Sequence, residues 1–273
     1  MSAVNSYSEG FIEAKGYKLH YLEWGNKGKG MILLHGSAPY CSAHDLEAIG
    51  NALRDRYHII AFDLIGHAQS DDPKTILGFE EHVSILREAA KQKGFNNVTL
   101  VGWSYGGWLS MVWADSYPSE VEKIVLLDII PITYKEPTPQ DPENTPISFG
   151  DEEEAIDFFL NNFNALTDVP PRYYVEQSVG RSHRDDGGRV IVLCHHSRRL
   201  KLRKDLDLWK CFSGITAPIL LVWGEESELP VEEMKRMKEV KGSMGVVTIK
   251  GANHFVPVSH TEEVVKAVES FLL

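Results

Sequence analysis

The chain is poor in cysteine. Cys41, Cys194 and Cys211 are the only three among 273 residues, and no two form a CxxC pair. An odd number without paired spacing argues against a disulfide framework and a structural zinc site. Positive charge is also scarce: 28 Lys and Arg stand against 39 Asp and Glu, a formal charge of -11. Nucleic-acid binders and proteins that seat on anionic membranes carry basic surfaces, so neither partner is expected. No apolar run approaches the roughly 20 residues of a membrane-spanning helix. Residues 1–8 show neither the basic nor the apolar region of a secretory signal. A soluble cytoplasmic protein is the expectation. Low-complexity tracts and internal repeats are absent too.

What is present is ordinary globular composition, 43% hydrophobic and 25% charged. The length suits one large domain or one domain with an insertion. In the first half, strand and helix patterns alternate. Tyr17 to Trp24, Met31 to Leu34, His58 to Phe62, Val98 to Val101 and Ile124 to Leu127 read as strands. Between them, helices are expected from Ala43 to Arg54, around Phe79, Val83, Leu86 and Ala90, and from Tyr105 to Tyr117. Continuous apolar strands alternating with helices predict a mostly parallel sheet covered on both faces.

The pattern breaks at Pro131 to Pro146, where five prolines fall. Glu152 to about Leu208 then reads as helical, and the alternation resumes at Pro218 to Trp223, Val231 to Val240, Val246 to Ile249 and Thr261 to Leu273. The expected organisation is an α/β core over 1–130 and 214–273 with a mainly helical cap inserted at 131–213. Within the cap, 181–204 is a basic run with eight Lys or Arg and two acids. It is read as a solvated surface, with an anion site as the alternative.

Candidate chemistry sits where strands end, the usual ligand position in open α/β sheets. Gly102-Trp103-Ser104-Tyr105-Gly106 is a G-x-S-x-G between a strand and a helix, a setting that lifts a nucleophilic serine above the sheet. His35-Gly36-Ser37-Ala38-Pro39 follows the Met31 to Leu34 strand and can aim the Ser37 N–H at a developing oxyanion. The N–H of Tyr105 supplies the second donor. His35 is expected to brace its own loop. Gly251-Ala252-Asn253-His254 lies between the last strand and last helix, so His254 is the candidate base for Ser104.

These motifs resemble the α/β-hydrolase fold superfamily over about residues 11–273. Asp63 to Ser70 also matches that family's loop after the fourth strand, with Ile65 where Arg is usual and Ala68 where Gly is usual. The order nucleophile, acid, histidine is the family's as well. Serine as nucleophile separates the chain from the similar haloalkane dehalogenases and epoxide hydrolases, which use aspartate there. The resemblance places the acid in a G-x-x-D loop, but this chain reads Gly224-Glu225-Glu226-Ser227-Glu228. Some similar proteins carry the acid one strand earlier, where Asp128 follows Ile124 to Leu127. Asp128 is therefore the first choice, with Glu226 and Glu228 as alternatives.

Other features carry less. Gly25 to Gly30 reads as a hairpin-like turn, not a phosphate loop, because it opens no helix. His195-His196 lacks the further ligands of a metal site. Trp103, next to Ser104, is the expected substrate-contacting aromatic. The expected activity is a cofactor-free, metal-free serine hydrolase acting on a small apolar ester or lactone. Carbon–carbon cleavage or acyl transfer with the same triad, and a receptor with weak hydrolysis, stay as alternatives.

Overall fold

The computed structural model describes residues 7–75, 77–132, 146, 148–162, 169–185, 190–192 and 206–273, the backbone alone for 182–185 and 190–192. The chain opens with an antiparallel pair, β1 (Ser8–Ala14) and β2 (Tyr17–Trp24). β3 (Lys29–Leu34), α1 (Glu47–Leu53), β4 (Tyr57–Phe62), α2 (Phe79–Gln92), β5 (Val98–Trp103), α3 (Tyr105–Ser116) and β6 (Val121–Leu127) follow. An excursion holds β7 (Ser148–Phe149), α4 (Glu152–Asn162), α5 (Arg172–Ser182), β8 (His183–Asp185) and β9 (Val190–Val192). The chain returns through α6 (Leu208–Gly214), β10 (Ile219–Gly224), α7 (Val231–Val240), β11 (Gly245–Ile249), α8 (Val256–Ser259) and α9 (Thr261–Leu272).

Eight strands form one sheet in the order β1-β2-β4-β3-β5-β6-β10-β11. β2 pairs antiparallel with β1 and β4, and every later pairing is parallel. Every residue of β5 and β10 is buried, as a strand covered on both faces requires. Alternation along β3 divides its side chains between two cores. Ile32 and Leu34 join Leu86, Leu109 and Phe212 on one face; Met31 and Leu33 join Ile49, Val264 and Val268 on the other.

The excursion packs by the same rule. Phe149, Ile156, Phe159, Tyr174 and Val179 enter the second core beside Trp103 and Phe255. α6 instead buries Leu208, Cys211 and Phe212 in the first core.

Three features differ from expectation. β1 is an additional edge strand. The excursion carries a small antiparallel sheet, β7-β9-β8, as well as helices. Gly25 to Gly30 is not a hairpin, because β4 lies between β2 and β3. The loop instead crosses the start of β4 so closely that a Cβ on Gly28 would stand 2.2 Å from Arg56 O. Two thirds of the basic run 181–204, residues 186–189 and 193–204, lie outside the described residues, and so does the whole His195-His196 pair.

Candidate active site

The carboxyl ends of β3, β5, β6, β10 and β11 converge on one group of loops. Ser104 stands between β5 and α3 with φ 52° and ψ -119°. That region is unfavourable for a non-glycine residue by about 1–3 kcal/mol, and its neighbours hold it there. Gly107 N–H donates to Ser104 O at 2.8 Å, and Ser104 N–H donates to Leu127 O at 3.3 Å. The flanking glycines permit this packing. A Cβ on Gly102 would lie 2.3 Å from Gly106 O, and one on Gly106 would lie 2.1 Å from Leu34 O.

Asp128 follows β6, also with positive φ, at 45°. Its N–H donates to Val222 O at 2.8 Å, which anchors it to β10. The carboxylate leans across that strand's end. Oδ1 accepts Gly224 N–H at 2.9 Å; Oδ2 accepts the Ser227 hydroxyl at 2.6 Å and His254 Nδ1–H at 2.9 Å. The side chain is fully buried, and His254 is nearly so. Glu225, Glu226 and Glu228 are exposed, and Glu225 accepts Gly251 N–H at 2.9 Å. A carboxylate acceptor on Nδ1 fixes the tautomer that leaves Nε2 with its lone pair. His254 is held from its backbone as well: Trp103 Nε1–H donates to His254 O at 2.9 Å. The Trp103 indole is almost fully buried and packs on Tyr174 and Phe255.

The loop after β3 is tied to the start of α3, where Gly106 N–H donates to His35 O at 3.0 Å. Gly36 lies against Ser104: a Cβ there would stand 3.5 Å from Ser104 Cβ. Ser37 comes next and is partly exposed, while Tyr105 is the first residue of α3. N–H groups at a helix start point out of the helix, which suits an oxyanion.

His35 braces this loop. Nδ1–H donates to Gly36 O at 2.7 Å, and Nε2 accepts Leu64 N–H at 2.9 Å. Burial, helped by neighbouring His67, pushes its pKa down to about 3, so it stays neutral. His82 is likewise neutral, lowered to about 3 by burial and by His67 and His35. Its Nε2 accepts Ile65 N–H at 3.2 Å and its Nδ1–H donates to Tyr105 Oη at 3.2 Å. Burial opposes ionisation of Asp63, but hydrogen bonds from His20 and Ala43 N–H prevail and hold its carboxyl below the usual range.

Two contributors have little sequence signal. Ser227 reads as the gap where an acid is expected, yet it donates to Asp128. The His82–Tyr105 bond joins residues from separate helices, and no local pattern announces it.

A model of the alpha/beta hydrolase fold matches residues 30–261. The chain is 24% identical over 252 residues to a 2-(acetamidomethylene)succinate hydrolase of Mesorhizobium japonicum, covering 90% of this chain and 89% of that one. It is 25% identical over 276 residues to a soluble epoxide hydrolase of a Corynebacterium species, covering 94% of each. Among solved structures, an E-2-(acetamidomethylene)succinate hydrolase superposes with TM-score 0.83 at 22% identity, over 97% of this chain and 99% of that one. The thioesterase domain from the curacin biosynthetic pathway gives 0.79 at 18% identity, over 97% and 99%. No described helix is long and apolar enough to cross a membrane. The chain therefore belongs to the alpha/beta hydrolase fold family, as a hydrolase whose bond class the family leaves open.

Proposed function

We propose that the protein is a serine hydrolase that cleaves a carboxylic ester or lactone through an acyl-enzyme on Ser104. The observation that carries this reading is the buried 2.9 Å bond from His254 Nδ1 to Asp128, made by a histidine whose backbone is tied to the residue preceding Ser104. Ser104 Oγ attacks the carbonyl carbon while His254 Nε2 takes its proton. Asp128 stabilises the imidazolium without accepting the proton. The Ser37 and Tyr105 N–H groups hold the oxyanion. Collapse of the tetrahedral intermediate expels the alcohol, which receives the proton from His254. A water molecule deprotonated by His254 then attacks the acyl-enzyme and releases the acid and Ser104.

A serine hydroxyl in the nucleophile position supports ester over epoxide chemistry, because opening an epoxide in this family goes through a carboxylate. The aromatic cluster beside Trp103, in which Tyr174 and Phe255 meet its ring and Tyr40 and Phe159 follow behind Tyr174, supports an apolar acyl or alcohol part. Similarity to the Mesorhizobium hydrolase favours a second reading, in which the same Ser104 attacks a small carboxylated substrate. Turnover of a p-nitrophenyl ester series against succinate-like amides separates the two. Ester turnover that rises from acetate to butyrate and is lost in Ser104→Ala is the expected result. Turnover of the amides alone would favour the second reading.

A further inference from the structure

The loop that follows β10 touches both partners of the Asp128–His254 bond. In the sheet, β10 lies between β6, which leads to Asp128, and β11, which leads to His254. The Asp128 side chain therefore reaches across the end of an intervening strand. On one side, the loop at that strand end is tied to the His254 loop. Glu225 N–H donates to Ile249 O at 3.0 Å, Glu226 N–H donates to Ala252 O at 2.8 Å, and Gly251 N–H donates to Glu225 Oε2 at 2.9 Å. The two backbones touch as well, since a Cβ on Gly224 would stand 2.6 Å from Ala252 O and 2.7 Å from Asn253 O. On the other side, the loop meets the Asp128 carboxylate through Gly224 N–H at Oδ1 and the Ser227 hydroxyl at Oδ2.

The local geometry makes Ser227 a donor. Its N–H closes a turn on Gly224 O at 3.1 Å, which folds the loop back over the strand end. Leu229, buried in the first core, pins the turn from the other side, and its N–H donates to Ser227 Oγ at 3.3 Å. That bond takes a lone pair of the hydroxyl oxygen and leaves the hydrogen for Asp128 Oδ2, 2.6 Å away. The same Oδ2 accepts His254 Nδ1–H at 2.9 Å. The Asp128 side chain is fully buried, so each donor it holds replaces water it has lost. We infer that Ser227 is a positioning residue: its hydroxyl locks the Asp128 carboxylate in the rotation that presents Oδ2 to His254 Nδ1.

This role differs from filling space. The last torsion of an aspartate is soft, so the carboxylate keeps one rotation only when its oxygens are held from outside. With the Ser227 hydroxyl present, Gly224 N–H and Ser227 fix both oxygens without help from the imidazole. Without it, His254 is the remaining donor on Oδ2, and the ring that must move a proton becomes the restraint on the group meant to orient it. The buried charge is also short of one donor. The loss falls on proton transfer, after substrate has bound, so kcat drops and KM does not. A thiol has nearly the volume of a hydroxyl and donates weakly, so Ser227→Cys keeps the filling and removes the donor, while Ser227→Thr keeps the donor.

The inference rests on the serine-hydrolase reading, and two readouts keep their failures apart. One is the pair kcat and KM for p-nitrophenyl butyrate. The other is the rate constant for labelling by a fluorophosphonate, mapped to Ser104 by mass spectrometry, which needs no ester turnover. Ser227→Ala lowers kcat and the labelling rate about tenfold, with KM within about twofold. Ser227→Cys lowers both rates by about threefold or more, and Ser227→Thr stays within about twofold of the unsubstituted protein. In an Asp128→Asn background, Ser227→Ala changes the labelling rate by less than about twofold, because the hydroxyl no longer has a carboxylate to orient. Labelling of Ser104 in Ser227→Cys and Ser227→Ala at the unsubstituted rate overturns the inference. The same tenfold loss with and without the Asp128 carboxylate also overturns it. Absence of ester turnover with the labelling series intact keeps the role of Ser227 and refutes the ester reading.

Discussion

Asp128 and Ser227 meet where the family pattern places a single acidic side chain. Ser227 stands where similar chains carry the acid, and its hydroxyl donates to Asp128, which arrives from β6. An aspartate reaches His254 from there because Gly224 N–H and Ser227 draw its carboxylate across the end of β10. Asp128→Asn should lower kcat by about 10³–10⁴, since the amide favours the wrong imidazole tautomer. Ser227→Ala removes one charge-assisted hydrogen bond and should lower kcat about tenfold with little change in KM. Glu226→Gln and Glu228→Gln should be silent, because both side chains are exposed. Steady-state kinetics on one ester checks all four, and a large loss in Glu226→Gln would reassign the acid. The candidacies of Ser104 and His254 are legible in sequence because each stands in a short glycine-framed motif between a strand and a helix. The choice among Asp128, Glu226 and Glu228 is not, because it depends on the lateral pairing of β6 with β10 and on the exposure of the Glu225 to Glu228 loop.

At the level of elements, the long buried strands and amphipathic helices are readable because burial on both faces leaves unbroken apolar runs. β1 is not, because an edge strand with an exposed start such as Ser8-Glu9-Gly10 has no such run. The strands β8 and β9 are three residues each, too short for any period to show. The Asp63 to Ser70 loop shows the cost of departing from the family pattern. Ala68 occupies φ 44° where similar chains place glycine. Relief of that left-handed strain exceeds the extra entropy of an unfolded glycine, so Ala68→Gly should stabilise the protein by about 0.5 kcal/mol. Gly102→Ala should do the reverse. Its methyl would meet Gly106 O and Ser110 Oγ, and a loss above about 2 kcal/mol is expected. Urea unfolding of the two variants checks both signs.

Across the whole molecule, buried histidines and one buried acid set the response to pH. His35 and His82 have folded pKa values near 3, below the ordinary 6.5, so acid favours the unfolded chain, which binds protons first. Between pH 7 and 4.5 each removes about 3 kcal/mol of stability by linkage. Asp45 acts oppositely. Its folded pKa of about 7 lies above the ordinary 3.8, so the folded state gains a proton first and recovers about 3 kcal/mol over the same window. The unsubstituted protein should therefore lose about 3 kcal/mol from pH 7 to 4.5 and Asp45→Asn about twice that, read from urea midpoints at each pH. An equal loss in the two proteins would mean that Asp45 is ionised when folded. The central claim, that Ser104 is a nucleophile activated by His254, is tested most directly by intact mass after incubation with a fluorophosphonate. One adduct should form, map to Ser104 and be absent from Ser104→Ala, and it should form far more slowly in His254→Ala. No adduct on correctly folded protein, or an adduct on any other residue, would contradict the account.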